Sequence, residues 1–323
     1  MKKIAFLVMA HKNADQVKRL IDRLLSDDRV EVFLHFDKKY TGDLSELMND
    51  DRIHFLAERL SGHLYGQSLV EIENRLLTDA LCFSKTHTHL YYYCLLSGQD
   101  YLLKPITDIV DELLETYPKP YIDCTPRSDN NWLSRRERFS TWYVKCNDNV
   151  LVYSNVTKFG IVRKIIKAPF YFVNILTWPF MNITKKLKAN NMELYGGGQW
   201  WILPDDIVEY LVNQYVTKTD HYKAAKSING PDETYYQTMI MNSDYRGRID
   251  VNRPDMVKQN SKTFPYFKAE GRPVTGHPYV FTYDNIDFLS DLSQIGYFFA
   301  RKFDAAIDST VLDLIDKELL GIQ

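Results

Sequence analysis

Ile4-Ala5-Phe6-Leu7-Val8-Met9, followed at once by Ala10-His11-Lys12-Asn13, decides the fold. An apolar run without polar alternation reads as a strand buried on both faces, the condition at the centre of a parallel sheet. Val17, Leu20, Ile21, Leu24 and Leu25 follow at helical spacing. Residues 30–36 return to β-branched and aromatic side chains, and 52–56 form a shorter strand candidate. Ser68-Leu69-Val70-Glu71 has the form of a capping box, and Leu69, Ile72, Leu76 and Ala80 carry a helix onward. Residues 90–96 read as another apolar strand, 106–116 as a helix, and Tyr121-Ile122-Asp123 as extended. This β-α-β-α order predicts an α/β fold: a Rossmann-like, mostly parallel sheet flanked by helices.

Farther along, the pattern changes. Residues 127–192 are basic, aromatic and irregular, and read as an inserted acceptor-side or lid region. Residues 193–203 read as a strand carrying three glycines. Pro204 opens a helix with Asp205 and Asp206 in its first turn, and Gly230-Pro231-Asp232-Glu233 opens another in the same way. A Pro/Gly-rich connection at 271–278 precedes residues read as helical to the end. The expected organisation is a single domain over 1–323, with a nucleotide-binding half at 1–126 and a second half at 193–323.

Composition narrows the function classes. With 323 residues and 45% hydrophobic content, the chain can build one sizeable core. Its net charge of -2 lacks the basic excess of a nucleic-acid binder. Aromatic residues reach 14%, including 22 Tyr and 5 Trp, which fits a sugar-binding cleft or simply a Tyr-rich core. Cys82, Cys94, Cys124 and Cys146 form no CxxC pair, so neither a zinc site nor a disulfide framework is expected. The N-terminal apolar run is too short for a secretory signal. Residues 165–183 are the most apolar stretch, but Lys167, Pro169, Asn174, Pro179 and Asn182 interrupt them. A lid fits this stretch; a membrane-surface segment also fits, with Arg163 and Lys164 before it and Lys185, Lys186 and Lys188 after it.

Ligands of open α/β sheets bind beyond the carboxyl ends of the strands. That rule selects Ala10-His11-Lys12, His35-Phe36-Asp37-Lys38-Lys39 and Ser97-Gly98-Gln99-Asp100. Asp37 either ends its strand or binds a uracil or ribose group, and Gly98 either makes an ordinary turn or lets a ligand approach the backbone. Gly196-Gly197-Gly198-Gln199-Trp200-Trp201 is unusual, since strand interiors avoid glycine. Strand alternation would place Gln199 and Trp201 on one face and Trp200 on the other, one Trp serving as a sugar platform and the other as core. Glu233 is either a first-turn acid or a general base. Arg301-Lys302, set among aromatics, suits a departing diphosphate, unless Lys302 merely pairs with Asp304. Asp-x-Asp, the usual metal signature of nucleotide-sugar transferases, is missing from the sequence.

Together these segments resemble the family of core 2 and I-branching β-1,6-N-acetylglucosaminyltransferases and peptide O-xylosyltransferases. The matching stretches are Ala10-His11-Lys12, His35-Phe36-Asp37-Lys38-Lys39, Tyr65-Gly66-Gln67-Ser68-Leu69-Val70-Glu71, Leu95-Leu96-Ser97-Gly98-Gln99-Asp100-Tyr101, Gly198-Gln199-Trp200-Trp201, Pro231-Asp232-Glu233 and Phe299-Ala300-Arg301-Lys302-Phe303-Asp304. The resemblance implies a variant GT-A fold, inversion at the anomeric carbon, a UDP-sugar donor carrying N-acetylglucosamine or xylose, and no metal or other cofactor. It implies Glu233 as the base and Arg301, Lys302 and Arg272 on the diphosphate. His11 and Asp37 would border the uridine. Gln99, Asp100, Gln199, Trp200 and Trp201 would face the donor sugar or acceptor. The chain looks like a bacterial, cytoplasmic relative, acting on a glycan or glycolipid acceptor in cell-surface polysaccharide synthesis, with contact to the inner membrane surface allowed. Arg135, Arg136, Arg138 and Trp142 are acceptor-side candidates from position alone. Three other readings stand beside it: a non-catalytic UDP- or carbohydrate-binding protein, a glycoside hydrolase pairing Asp100 with Glu233, and a dinucleotide oxidoreductase. The last lacks GxGxxG after the first strand.

Overall fold

A computed structural model of the chain describes residues 1–63, 66–127, 142–146, 149–153, 183–225, 230–251, 260–267 and 278–322, with 142–146, 149–153 and 183–185 described by backbone alone. The first run is strand β1 (Lys3–Ala10), followed by helix α1 (Ala14–Leu24), β2 (Val30–Phe36), β3 (Ile53–Phe55), α2 (Gln67–Thr86) and β4 (Leu90–Ser97). Next come β5 (Asp100–Leu102), α3 (Ile106–Glu115), β6 (Tyr121–Ile122) and β7 (Thr125–Pro126). The hairpin β8 (Trp142–Cys146) and β9 (Asn149–Tyr153), α4 (Ile183–Ala189), β10 (Tyr195–Gly196), β11 (Trp201–Pro204), α5 (Asp205–Val216), α6 (Asp220–Ala225) and α7 (Tyr235–Met241) follow. The chain closes with β12 (Thr263–Pro265), α8 (Ile286–Ile295), β13 (Phe299–Arg301) and α9 (Thr310–Glu318).

The main sheet has the order β3-β2-β1-β4-β11-β6. Its first four strands run parallel, and β11 runs antiparallel to both neighbours. β1 sits at the centre and is buried on both faces, as its unbroken apolar run requires. Ile4, Phe6 and Val8 face the core under α1, α3, α8 and α9. Ala5, Leu7 and Met9 face the core under α2, α5 and α7. The α/β class and the mainly parallel sheet are therefore as the sequence predicts.

Several local expectations are corrected. Ser68 is not a cap: α2 starts after Gly66, and the Ser68 hydroxyl accepts the His63 N–H at 2.9 Å because the preceding loop folds back over the first turn. Glu71 instead bonds Arg75 and the Tyr215 hydroxyl. Residues 193–203 are two short strands in different sheets, not one, with 197–200 between them. Residues 279–322 are not wholly helical, because Phe299–Arg301 forms β13, which joins β12 and β5 in a separate three-stranded sheet. Glu233 lies in a single 3-10 turn, Pro231–Glu233, that Gly230 enters in the left-handed conformation with φ of 64°. Among the described residues no helix is long and apolar enough to cross a membrane. Residues 165–182, Arg135, Arg136, Arg138, the Trp142 side chain and Arg272 lie outside the described residues.

Candidate active site

The carboxyl ends of β1, β2 and β4 open into a cavity of about 370 Å³. Its walls include His11, Asp37, Gln99, Gln199, Trp200, Arg301 and Lys302, contributed by five separated stretches of sequence. The topology itself brings these together: β13 pairs with β5 directly after the β4 turn, so Arg301 lies opposite Asp100.

One end is built on β2. Asp37 is nearly buried, and its two carboxylate oxygens accept the backbone N–H groups of Lys39 and Gly62, each at 2.8 Å. Its first task is thus to shape the loop that closes this end. Arg59 reinforces the same loop by donating to the carbonyls of Phe36, Asp37 and Tyr40. His35 also lines the cavity, and burial pushes its imidazole down to about 4, which keeps it neutral. His11 stands at the rim, where burial, then Lys12 and Lys302, hold it below its ordinary value.

The other end carries positive charge. Arg301 lies over the Trp200 ring, with its guanidinium carbon 3.9 Å from the ring centroid, and its Nε is 3.5 Å from Asp100 Oδ1. Asp100 itself is fully buried, held by the Ser97 N–H at 2.8 Å and the Ser97 hydroxyl at 2.9 Å. It therefore stands behind Arg301 and does not line the cavity. An arginine keeps its charge at working pH, so this pair fixes a cation at the wall. Burial, then Arg301 and Lys12, hold the Lys302 ammonium below the usual lysine range. Asp304 does not pair with Lys302: it accepts Lys12 at 2.5 Å and Asn13 at 2.7 Å, tying the β1 exit to the β13 exit. Gln16 strengthens that tie through Gly98 O, Phe303 O and Ala305 N.

The glycines serve the protein's own packing. A Cβ on Gly197 would lie 1.8 Å from the Asp123 carbonyl oxygen. That close approach lets the Gly197 N–H reach Glu233 O at 3.0 Å, which ties the Glu233 turn to the segment that carries the cavity-lining Gln199 and Trp200. A Cβ on Gly98 would meet Val17 at 2.7 Å, so this glycine admits α1 and not a ligand. Glu233 is half-buried, and its charge is felt at Arg301. Trp201 is fully buried in the core against Tyr236, whereas Gln199 and Trp200 both line the cavity. Strand alternation fails here because 199–200 precede β11. Glu73 escaped the sequence reading, although it and Asn74 interrupt the stripe of Val70 and Leu77, and a charged residue on an apolar face was the available signal.

The site is thus a cavity at the carboxyl edge of an α/β sheet, with two cationic side chains, Arg301 and Lys302, on its wall. The profile described as the Core-2/I-Branching enzyme matches residues 4–254, and the chain belongs to that family, which is one of glycosyltransferases. It is similar to a beta-1,3-galactosyl-O-glycosyl-glycoprotein beta-1,6-N-acetylglucosaminyltransferase 4 of Danio rerio, 23% identical with 98% of this chain and 69% of that protein covered. For the Mus musculus protein of the same name the figures are 23%, 98% and 65%. The xylosyltransferase sqv-6 of Caenorhabditis elegans is 20% identical, with 99% of this chain and 37% of that protein covered. The chain thus spans about two thirds of the first two and little more than a third of the third. The matched profile contains Glu233 and ends before Arg301 and Lys302, which the fold brings to the cavity.

Proposed function

We propose that this chain transfers a sugar from a UDP donor to a hydroxyl of a glycan acceptor, by a single inverting displacement on a variant GT-A scaffold and without a metal ion. The observation that carries this reading is the meeting of Arg301 and Lys302 on one cavity wall, with Glu233 close enough to act on Arg301 electrostatically. The acceptor oxygen bonds to the anomeric carbon as the bond from that carbon to the diphosphate oxygen breaks. The Glu233 carboxylate takes the hydroxyl proton. Arg301 and Lys302 receive the charge that develops on the leaving diphosphate, a fixed stabilisation needing no reorganisation. The uridine sits at the His35 and Asp37 end, and the sugar sits over Trp200 and Gln199. N-acetylglucosamine and xylose are the donor sugars to try first, given the names of the relatives.

A hydrolase would need two carboxylates opposed across the cavity. Asp100 faces Arg301 from behind the wall, which disfavours that pairing. The reading is tested with Glu233→Gln. Transfer should fall by roughly 10²–10⁴-fold, the usual contribution of a positioned base, while UDP still binds, its Kd changing far less than the rate because Glu233 reaches the diphosphate side only through its charge on Arg301. A variant that retained full transfer would remove Glu233 from this role.

A further inference from the structure

One buried carboxyl beside the cavity takes no part in the reaction just described. Glu73 is fully buried on α2, the helix whose Leu69 and Ile72 line the cavity. Its Oε1 accepts a hydrogen bond of 2.7 Å from Gln199 Nε2, and the side chains of Asp232, on the turn that carries Glu233, and Tyr236, on the following helix α7, act on it. A carboxyl wholly inside a protein is costly unless it is partnered, so its place calls for a reason. The bond itself supplies one. In this arrangement Oε1 accepts and the Gln199 amide nitrogen faces Glu73, which turns the amide carbonyl away from it. Gln199 is partly exposed and lines the cavity next to Trp200.

We propose that Glu73 is a positioning residue for the donor sugar: by holding the Gln199 nitrogen, it presents the Gln199 carbonyl to the cavity as an acceptor for a sugar O–H or N–H. The proposal rests on the UDP-sugar reading above and adds a specificity element to that site. The uridine end, built on β2 and the loop around Gly62, does not share this contact.

The test is calorimetric titration of UDP, UDP-N-acetylglucosamine and UDP-xylose into wild type, Glu73→Leu, Glu73→Gln and Gln199→Ala. The quantity read is the ratio of the UDP Kd to the UDP-sugar Kd, for whichever sugar nucleotide wild type binds more tightly. Glu73→Leu and Gln199→Ala should each lower this ratio about tenfold, the scale of one lost hydrogen bond, with UDP itself bound within about twofold of wild type. Glu73→Gln should stay close to wild type, because its amide carbonyl takes the same bond. Should Glu73→Leu fail to fold, Gln199→Ala at its partly exposed position still reads the contact. A ratio unchanged in both Glu73→Leu and Gln199→Ala, or UDP and UDP-sugar weakened equally, would overturn the proposal. Wild type that binds no UDP would instead remove the functional reading beneath it, so the two failures are seen in different proteins.

Discussion

Lys302 lines the cavity beside a second cation, Arg301, which bears on its charge. Burial, then the adjacent Arg301, lower its pKa, so its ammonium loses the proton at a lower pH than an ordinary lysine. The charged form exists below that pKa and is the form that attracts a diphosphate. Affinity for UDP should therefore fall as pH rises through it. Lys302→Arg keeps its charge over the same range. Titration calorimetry between neutral pH and pH 10 should show wild type weakening relative to Lys302→Arg, with a gap that widens as pH rises. A constant gap would mean that the Lys302 charge does not face the ligand. Residue identity was legible for much of this site. His11, Asp37, Gln99, Gln199, Trp200, Arg301 and Lys302 all reach the cavity. Orientation was less legible. Trp200 and Trp201 are indistinguishable by type, and only the break in strand geometry sends one to the cavity and the other to the core. Asp100 sits one residue from the cavity-lining Gln99 yet points to the Ser97 turn and Arg301.

Among the elements, the terminal helix illustrates what holds the cation-bearing segment in place. Asp316 on α9 accepts Arg19 and Arg23 of α1, each at 2.7 Å, and the Tyr101 hydroxyl at 2.8 Å. Burial opposes its ionisation, but the hydrogen bonds from Arg23, Arg19 and Tyr101 outweigh it and hold the carboxyl below the usual range. A depressed folded-state pKa contributes stability that is present above the unfolded value and lost as pH falls through the folded one. Asp316→Asn should cost about 1–3 kcal/mol at pH 7, a buried pair's penalty reduced because both arginines are partly exposed. Urea unfolding should show that difference shrinking as pH falls below the ordinary aspartate value, where protonation begins to favour the unfolded chain; a difference independent of pH would contradict the ion-pair account. Long elements were legible: α1 and α3 because each buries a regular face, and β1 and β2 because each is a run buried on both faces. β5 and β13 were not, since each has three residues, too few to display a period.

At the scale of the molecule, the order of strands and helices was enough to predict a mainly parallel sheet and to select the loops at its carboxyl edge. It could not show that the last strand returns through a second sheet to pair with β5, and that return is what places Arg301 and Lys302 opposite the β2 end of the cavity. The pairing spans some two hundred positions of sequence, so no local pattern records it. The proposed UDP site, in which fixed cations replace a metal ion, is tested most directly by thermal unfolding with saturating UDP in the presence of EDTA. Ligand that binds only the folded state adds about 2.7 kcal/mol at one hundred times its Kd. The account predicts a raised Tm with UDP under EDTA, no such rise with NAD, and no further gain from Mg²⁺ or Mn²⁺ once EDTA is left out. No rise with millimolar UDP, or a rise that appears only when a divalent cation is supplied, would contradict it.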